Sequence, residues 1–285
     1  MKNFIQKLLK IKAVKVFLCI KENYIKLISP KLWNWIETKL YNPYDFDEEN
    51  ILRSKEQYSL LKKYTDKYGI NLNNEQVFEI WPGGFLGLWA FLKNDWVKKY
   101  FVLDNLNHFD LTQKNIDLYN KINPDFLKEN KIDQNYTEVL TYNKQNDILI
   151  KTESIQVVFS NAVFEHIHDI DKSLDEIYRI TKKWWLSIHT IDYRDHIFDQ
   201  WWLWFLKIPQ FWFDLLFFRA GARTNRKKHF FYRDYFEKLG FEVLESIDNT
   251  PRYPDIELQK NSDLFKKYDK EDLQRATCLF VLKKK

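Results

Sequence analysis

Glycine, proline and cysteine are scarce in this sequence. The 285 residues include only 6 glycines and 7 prolines, so each glycine is informative about where the chain turns or approaches another group closely. The two cysteines, Cys19 and Cys278, lie near opposite ends of the chain, and no CxxC pair or Cys/His cluster has the spacing of a zinc site. The sequence therefore predicts no bound metal and favours a reducing, cytoplasmic compartment.

A large excess of charge of one sign is also missing. The chain has 45 basic and 40 acidic residues, which gives a net charge of +5. That surplus is too small for the concentrated basic footprint of a nucleic-acid-binding protein. We therefore expect no nucleic-acid partner.

Long hydrophobic runs are interrupted wherever they begin to form. As a helix, the most apolar segment, residues 201–218, would span about 27 Å, close to the thickness of a bilayer core, but Lys207, Pro209 and Asp214 break it. The N-terminal segment contains several lysines, Lys10 among them, and no small-residue cleavage site follows it. We expect neither a transmembrane helix nor a secretory signal.

The composition is that of a folded protein with one principal core. Apolar residues make up 45% of the chain and charged residues 30%, and this length suits one large α/β domain with an accessory segment. We predict a helical extension over residues 1–70 and the main domain over residues 71–285. Within the extension, residues 1–40 combine lysines with apolar residues at helical spacing. They form either an accessory helix packed on the main domain or an anchor at a membrane surface, in the second case on the inner face of the membrane.

From Gln76 onward, short apolar runs alternate with helical patterns, which is typical of βα units around a parallel sheet. The seven predicted strands cover residues 76–81, 100–104, 139–142, 156–160, 184–188, 241–246 and 278–282. The predicted helices cover residues 86–93, 113–119, 171–181 and 232–239, and Gly240 closes the last of them as a left-handed C-cap.

The first predicted strand runs into a glycine-rich turn. Glu79 lies near the end of the strand, and Pro82, Gly83 and Gly84 follow before the next helix. Glycines at this point let the backbone approach a ligand and leave N–H groups at the helix start free to bind it, although the same residues can simply make a tight turn. A complete GxGxxG pattern, which would indicate a nucleotide-dependent oxidoreductase, is missing because Pro82 stands at its first position.

The second predicted strand ends in Asp104, 25 positions after Glu79. The carboxyl ends of neighbouring parallel strands meet at one edge of the sheet, where an acidic residue can accept hydrogen bonds from ribose hydroxyls. Asp104 is therefore a candidate ligand of a nucleoside-containing cofactor; the alternative is a helix N-cap.

The segment around the fourth strand has a specific pattern. Residues 157–167 read VVFSNAVFEHI, and Leu174, Glu176 and Arg179 follow at the spacing L-x-E-x-x-R. This pattern resembles the region after strand four in class I S-adenosylmethionine-dependent methyltransferases. The resemblance runs from about residue 76 to residue 196 and more weakly to the final strand.

The resemblance implies the fold and cofactor of that family: a Rossmann-like α/β sheet of seven mostly parallel strands, with helices on both faces, that binds S-adenosylmethionine. It implies the following cofactor-binding residues: Glu79, Trp81, Gly83, Gly84, Asp104, Asp147, Ser160 and Asn161. Gly83 and Gly84 would lie near the methionine moiety, Asp104 near the ribose and Asp147 near the adenine. Trp81 departs from the pattern because the family usually has glycine there, so the indole either turns away from the cofactor or fills its space.

Methyl transfer from a sulfonium needs few catalytic side chains, and a hydroxyl acceptor needs a base. We predict His196 as the first candidate base and His166 as the second, with Asp195 or Asp192 orienting a histidine. His189 is expected at the same edge of the sheet. The alternatives are that His166 braces its loop by bonding to the backbone and that His196 is an exposed turn residue.

Residues 198–230 form an aromatic and basic insertion after the fifth strand. We interpret it as a lid over an acceptor pocket; a membrane-facing surface and a homodimer interface are the alternatives. Its basic run, which includes Arg219, Arg223 and Arg226, either holds an anionic acceptor or is a solvated face. The expected activity is methyl transfer to a hydroxyl or amine of a small polar acceptor, such as a sugar or a lipid-linked precursor. The first alternative is a cofactor-fold scaffold or binding protein without catalysis, and the second is a nucleotide-dependent oxidoreductase.

Overall fold

The computed structural model describes residues 12–36, 46–104, 111–140, 149–198, 203–254 and 262–285. Asp147, Trp201 and Trp202 lie outside the described residues. The helices are α1 Lys12–Ile28, α2 Pro30–Ile36, α3 Glu48–Lys67, α4 Gly87–Leu92, α5 Gln113–Ile122, α6 Ile170–Ile180, α7 Trp204–Lys207, α8 Gln210–Phe217, α9 His229–Leu239 and α10 Lys270–Gln274. The strands of the main sheet are β1 Gln76–Ile80, β2 Lys99–Leu103, β3 Thr137–Leu140, β4 Ile155–Asn161, β5 Thr181–Asp192, β6 Phe241–Asp248 and β7 Thr277–Lys284.

The seven strands form one sheet in the order β3-β2-β1-β4-β5-β7-β6. The first five strands in this order are parallel to one another, and β7 is antiparallel to both β5 and β6. A separate two-residue hairpin pairs Leu127–Lys128 with Lys131–Ile132. The predicted fold class is confirmed, including the helical extension before the sheet and the helical insertion after β5.

Both faces of the sheet are buried, which explains why its central strands are almost continuously apolar. On one face, Val77 and Val157 pack under residues of α3, α4 and α5. On the other, Phe78 and Val158 pack under α6 and α9. Alternate residues of each strand therefore belong to different cores, as the period of two in a strand requires.

Helix α3 belongs to this packing even though it precedes the sheet. Asp47 caps its start in a reciprocal capping box with Asn50, and Leu61 and Tyr64 lie in the same core as β1. At Gly87 the first turn of α4 comes so close to α3 that an added Cβ would lie 2.2 Å from Ser54 Oγ. Glycine at this position is thus required by the close approach of the two helices.

The predicted elements differ from the structure mainly in their ends. Strand β5 continues to Asp192 rather than ending at Ile188, because β7 pairs with it from Leu186 to Asp192. His189 therefore lies inside a strand, and the expectation that it follows the strand at the sheet edge was wrong. Helix α9 begins at His229, three residues before the predicted start, and its C-cap Gly240 has the expected left-handed conformation with φ of 101°.

The aromatic insertion has its own apolar core. Phe205, Phe213 and Phe217 are buried there together with Cys19 of α1 and Leu273 of α10. The insertion is thus packed on the N-terminal helix and on the C-terminal part of the chain. No described helix is long and apolar enough to cross a membrane.

Candidate functional site

The strand order reverses between β1 and β4, so the connections after these strands leave in opposite directions along the sheet. Ligands of open α/β sheets bind in the crevice that such a reversal creates at the carboxyl ends of the strands. Backbone hydrogen bonds align the carboxyl ends of neighbouring strands. Trp81 N, after β1, donates to Leu103 O of β2 at 2.8 Å, and Ala162 N, after β4, donates to Thr190 O of β5 at 2.9 Å. The predicted site residues after β1, β2 and β4 therefore lie along one edge.

The loop after β1 has an unusual backbone. Trp81 and Gly83 have φ values of 50° and 74°, both in the left-handed region that favours glycine. A Cβ added to Gly83 would meet no heavy atom within 4 Å, so the space beside this glycine is open. At Trp81 the same conformation costs about 1–2 kcal/mol relative to glycine. The position thus has the backbone geometry of the glycine that the family usually has there.

The Trp81 side chain packs partly against the core of the α6 face and also lines a cavity. The cavity has a volume of about 270 Å³, and its other lining residues come from the loop after β4 and the start of α6: His166, Ile167, His168, Asp169, Lys172 and Ser173. The indole Nε1 is buried and has no hydrogen-bond partner in the described part of the chain. Trp81 is thus a wall of the cavity with one donor available to a ligand.

Two carboxyl groups lie at the ends of β1 and β2. Asp104 is buried and directly follows β2, with its backbone N–H bonded to Leu140 O at 3.2 Å. Glu79 is buried inside β1, and the Tyr100 hydroxyl donates to its Oε2 at 2.6 Å. Burial, reinforced by the nearby charge of Asp104 and opposed by the Tyr100 hydrogen bond, raises the pKa of Glu79 to about 7. Asp104 is at the sheet edge, whereas Glu79 lies level with Val102, two residues further inside, and is held by Tyr100.

Ser160 and Asn161 face different surroundings at the end of β4. The Ser160 hydroxyl is 2.8 Å from His189 Nδ1, and the Ser187 hydroxyl is 2.6 Å from His189 Nε2, all within the sheet interior. Burial lowers the pKa of His189 to about 3, so its imidazole is neutral and bonded on both sides. Asn161 is exposed and precedes Ala162, whose φ is 54°. Asn161 is therefore at the crevice, and Ser160 is engaged by His189.

The structure brings His166 and His196 together. Their ring centroids are 5.0 Å apart, and His196 Nε2 is 3.4 Å from Asp192 Oδ2. His166 Nδ1 is 2.9 Å from Arg223 O; since a carbonyl only accepts, Nδ1 carries the proton and Nε2 has a free lone pair. Burial lowers the pKa of His166. The bond to backbone that the sequence offered as an alternative to catalysis is present, and it leaves His166 able to act as a base.

The two aspartates near His196 have different partners. Asp192 contacts His196 and is bridged by Arg194 at 2.6 Å. Although burial opposes it, these hydrogen bonds hold the pKa of Asp192 below its usual range. Asp195 instead accepts hydrogen bonds at 2.8 Å from the backbone N–H groups of Ile197 and Phe198. The residue that contacts a histidine is thus Asp192, and Asp195 caps the turn that follows.

A buried glutamate next to His166 was not among the residues predicted from the sequence. Glu165 is 1% exposed, and neither carboxyl oxygen has a hydrogen-bond partner in the described residues. Its Oε1 is 4.0 Å from His166 Nε2. Burial, with a smaller contribution from the charge of Asp192, raises the pKa of Glu165 to about 8. The sequence signal was an acidic residue inside an otherwise apolar stretch.

Asn225 attaches the end of the insertion to the loop after β4. Its side-chain Nδ2 donates to Phe164 O at 2.7 Å and to Ile167 O at 3.0 Å, and its backbone N–H donates to Glu165 O at 2.6 Å. These three bonds enclose His166. Asn225 was also missed, because its partners are about 60 residues away in sequence.

The basic run of the insertion is mostly engaged within the fold. Arg223 forms an ion pair with Asp214 at 2.5 Å. Arg226 donates to the carbonyl oxygens of Phe205 and Ile208 and thereby caps the end of α7. Lys228 is fully buried, donates to Arg275 O at 3.1 Å, and has a pKa that burial lowers to about 8. Arg223, Arg226 and Lys228, which belongs to the same basic run, are therefore engaged within the fold, and an anion site was one of the two alternatives that the sequence left open. No group of acidic, histidine and cysteine residues in the described chain could hold a metal ion.

Residues 104–184 match the family model described as a methyltransferase domain. The resemblance seen in the sequence is confirmed over this segment, which is 81 of the 285 residues and is similar to the methyltransferase domain. The matched segment begins at Asp104 and includes β3, β4, His166 and α6.

The chain is also similar to solved structures of low sequence identity. A complex of the Haloferax volcanii Trm112 methyltransferase activator with a methyltransferase matches at 16% identity, 83% coverage of this chain, 94% of that chain and a TM-score of 0.49. Haemonchus contortus phosphoethanolamine N-methyltransferase 2 in complex with S-adenosyl-L-methionine matches at 15% identity, 92% and 59% coverage and a TM-score of 0.49. An S-adenosylmethionine-dependent methyltransferase from Mesorhizobium loti matches at 10% identity, 78% and 96% coverage and a TM-score of 0.46. No curated protein sequence matches the chain.

Proposed function

We propose that this chain is an S-adenosylmethionine-dependent methyltransferase that acts on a hydroxyl or amine of a small polar acceptor. The observation that carries the proposal is the cavity at the strand-order reversal. There Trp81, from the glycine-type loop after β1, faces His166 from the segment that matches the methyltransferase domain. A nucleotide-dependent oxidoreductase gives no role to His166 or its neighbours.

The described residues fit this cofactor. Asp104 would accept hydrogen bonds from the ribose hydroxyls, the open space beside Gly83 lets the backbone approach the methionine end, and the unpartnered Trp81 N–H can donate to a carboxylate. Asn161 is placed at the same crevice. When bound, S-adenosylmethionine supplies a methyl group on a sulfonium, which takes up the electron pair of the breaking C–S bond.

His166 is the base that the geometry favours, ahead of His196, because it lines the cavity and its Nε2 is free to accept a proton. The acceptor hydroxyl would lose its proton to Nε2 as its oxygen bonds the methyl carbon. His196, held by Asp192, lies beside the first ring, and the carboxylate of Asp192 would offset the positive charge that develops on His166. Glu165, neutral at pH 7, leaves His166 without a competing anion.

The experiment is isothermal titration of the purified protein with S-adenosylmethionine and S-adenosylhomocysteine, with NADH as the control. Binding of the first two alone supports the proposal. The Asp104→Ala variant should bind S-adenosylmethionine about 1.5–3 kcal/mol more weakly, while Asp133→Ala, at an aspartate outside this edge, should bind normally. Unchanged affinity in a folded Asp104→Ala protein removes Asp104 from the site.

A methyltransferase fold without catalysis is the second candidate, and the observation that favours it is the indole of Trp81 in the cavity wall. If the indole blocks the methionine end, the wild type binds no cofactor and Trp81→Gly gains binding. If the indole instead helps to hold the cofactor, Trp81→Gly weakens binding. The same titration distinguishes these outcomes.

The acceptor class and the location are part of the proposal. A sugar or a lipid-linked precursor suits a cavity with two histidines and several polar side chains, and a tritiated methyl donor incubated with candidate acceptors tests this.

Cys19 and Cys278 are both buried free thiols, which is in keeping with a cytoplasmic location. Fractionation of cells that produce the protein checks it.

A further inference from the structure

Helices α1 and α8 form one structural unit although they lie far apart in sequence. Asn23 Nδ2 donates to Leu215 O at 3.0 Å, and Asn23 Oδ1 accepts from Arg219 N at 2.8 Å. Glu22 Oε1 accepts from Gly221 N at 2.9 Å. Because these bonds and a shared apolar core join the two helices, their outward sides move together as one surface.

That surface is rich in exposed large apolar side chains. On α8, Phe213 and Phe217 face the core, while Phe211 and Trp212 are 68% and 53% exposed. We call the following set the α1–α8 surface: Phe17, Tyr24, Ile28, Phe211, Trp212, Leu215 and Phe218. Single exposed apolar residues are ordinary, but a group of this size on neighbouring helices marks an interaction site.

Within the described residues, the charges that α1 and α8 leave outside ion pairs are positive. Helix α1 has four lysines and one glutamate, and α8 has one aspartate. Both acidic residues are neutralised within the fold, since Glu22 pairs with Lys26 and Asp214 with Arg223, each at 2.5 Å. Lys21 is exposed among the apolar residues of the surface. Arg219 and Lys31 are exposed as well.

We propose that the α1–α8 surface docks on the surface of an anionic lipid bilayer. Exposed aromatic residues suit the boundary between acyl chains and anionic headgroups when they lie near lysines that, like Lys21, form no ion pair with another described residue. A second copy of the chain is a poorer partner, because a two-fold interface would bring like charges together and lysine is depleted from protein interfaces. This docking does not depend on methyl transfer.

The position of the cavity adds a consequence that does rest on the proposed function. Phe218 of the surface contacts His168, with ring centroids 4.4 Å apart. His168 lines the cavity together with Trp81 and His166. Docking would therefore hold the cavity close to the bilayer, where an acceptor carried by a lipid is within reach.

Co-sedimentation with vesicles tests the docking. The full chain should bind vesicles of phosphatidylcholine with phosphatidylglycerol and bind vesicles of phosphatidylcholine alone much less. The double substitution Phe211→Ser and Trp212→Ser should weaken binding more than about tenfold, because both side chains are exposed and would insert. The matched control is Trp96→Ser with Trp184→Ser, which removes two tryptophans elsewhere that are 77% and 63% exposed and should bind like the wild type.

The electrostatic part has its own variant. Lys21→Glu with Lys31→Glu should weaken binding by about fivefold or more for each lysine lost, and added salt should narrow the difference. The proposal is overturned if the wild type does not bind anionic vesicles or if the Phe211→Ser, Trp212→Ser protein binds as well as the control. It is also overturned if sedimentation velocity without lipid shows that the wild type is a dimer and that the Phe211→Ser, Trp212→Ser protein is a monomer. None of these readouts uses S-adenosylmethionine, so failure here is distinct from failure of the cofactor titration.

Discussion

Glu165→Gln should change how the stability of the protein depends on pH. The raised pKa of about 8 means that the folded protein keeps a proton on Glu165 that the unfolded chain has already lost above pH 4.5. The unfolded state then binds fewer protons, so the free energy of unfolding falls as pH rises, by about 1.4 kcal/mol per pH unit between the two pKa values. Glutamine has nearly the same shape and no such proton, so this part of the slope disappears.

We therefore expect the stability curves of the two proteins to cross. At pH 5 the Glu165→Gln protein is as stable as the wild type or less stable by about 1–2 kcal/mol, because the amide replaces a carboxyl group that has no hydrogen-bond partner in the described residues. Near pH 8 the variant is the more stable protein. Urea unfolding at three pH values between 5 and 8 measures this, with exposed Glu56→Gln as the matched control. Because His166 titrates in both proteins, its contribution cancels; parallel curves for Glu165→Gln and the wild type would refute the reasoning.

Four further substitutions test roles that the structure assigns to individual residues. Asn225→Ala removes two side-chain bonds to the loop around His166 and should destabilise the protein by about 1–3 kcal/mol in urea unfolding and lower kcat, whereas Asn50→Ala should lower stability alone. Asp192→Asn should lower kcat through His196 and should also lower stability near neutral pH, because the lowered pKa of Asp192 means that the folded protein favours its carboxylate. Asp195→Ala should cost about 1 kcal/mol of stability through the lost turn cap with kcat unchanged; equal effects on kcat would contradict the assignment. Gly87→Ala should destabilise by about 1–3 kcal/mol because its Cβ would collide with Ser54, and Ser54→Gly in the same chain should recover part of the loss in thermal unfolding.

The main sheet could be predicted because its strands carry a local signal. Strand β4 is an apolar run between polar segments, and both of its faces are buried, so its position follows from the sequence alone. The predicted strand β5 ended too early because His189 is a polar residue that directly follows the apolar run. Its two nitrogens are bonded to Ser160 and Ser187, and the first of these comes from a different strand. A buried histidine of this kind is recognisable only once the strands are placed side by side.

The candidate site was predictable in its types of residue but not in its pairings. The edge positions of Asp104 and His166 follow from the βα pattern, since carboxyl ends of parallel strands share one side of the sheet. Which aspartate contacts His196 depends on the turn after β5, where Asp195 accepts hydrogen bonds from two backbone N–H groups. Likewise arginine is a residue type that often binds anions, and only the fold shows that the guanidinium of Arg226 donates its hydrogen bonds to the carbonyl oxygens of Phe205 and Ile208.

Backbone strain on both sides of the crevice connects the departure at Trp81 with the proposed function. Trp81 after β1 and Ala162 after β4 both have positive φ, and such residues persist where the surrounding structure fixes them, commonly at ligand sites. Replacing Trp81 with glycine would relieve about 1–2 kcal/mol of strain and lose a similar amount from the half-buried indole. Because these two changes nearly cancel in stability, an altered cofactor affinity in Trp81→Gly would report the indole itself rather than damage to the fold. The unusual residue of the loop is therefore the one whose substitution distinguishes a working methyltransferase site from a blocked one.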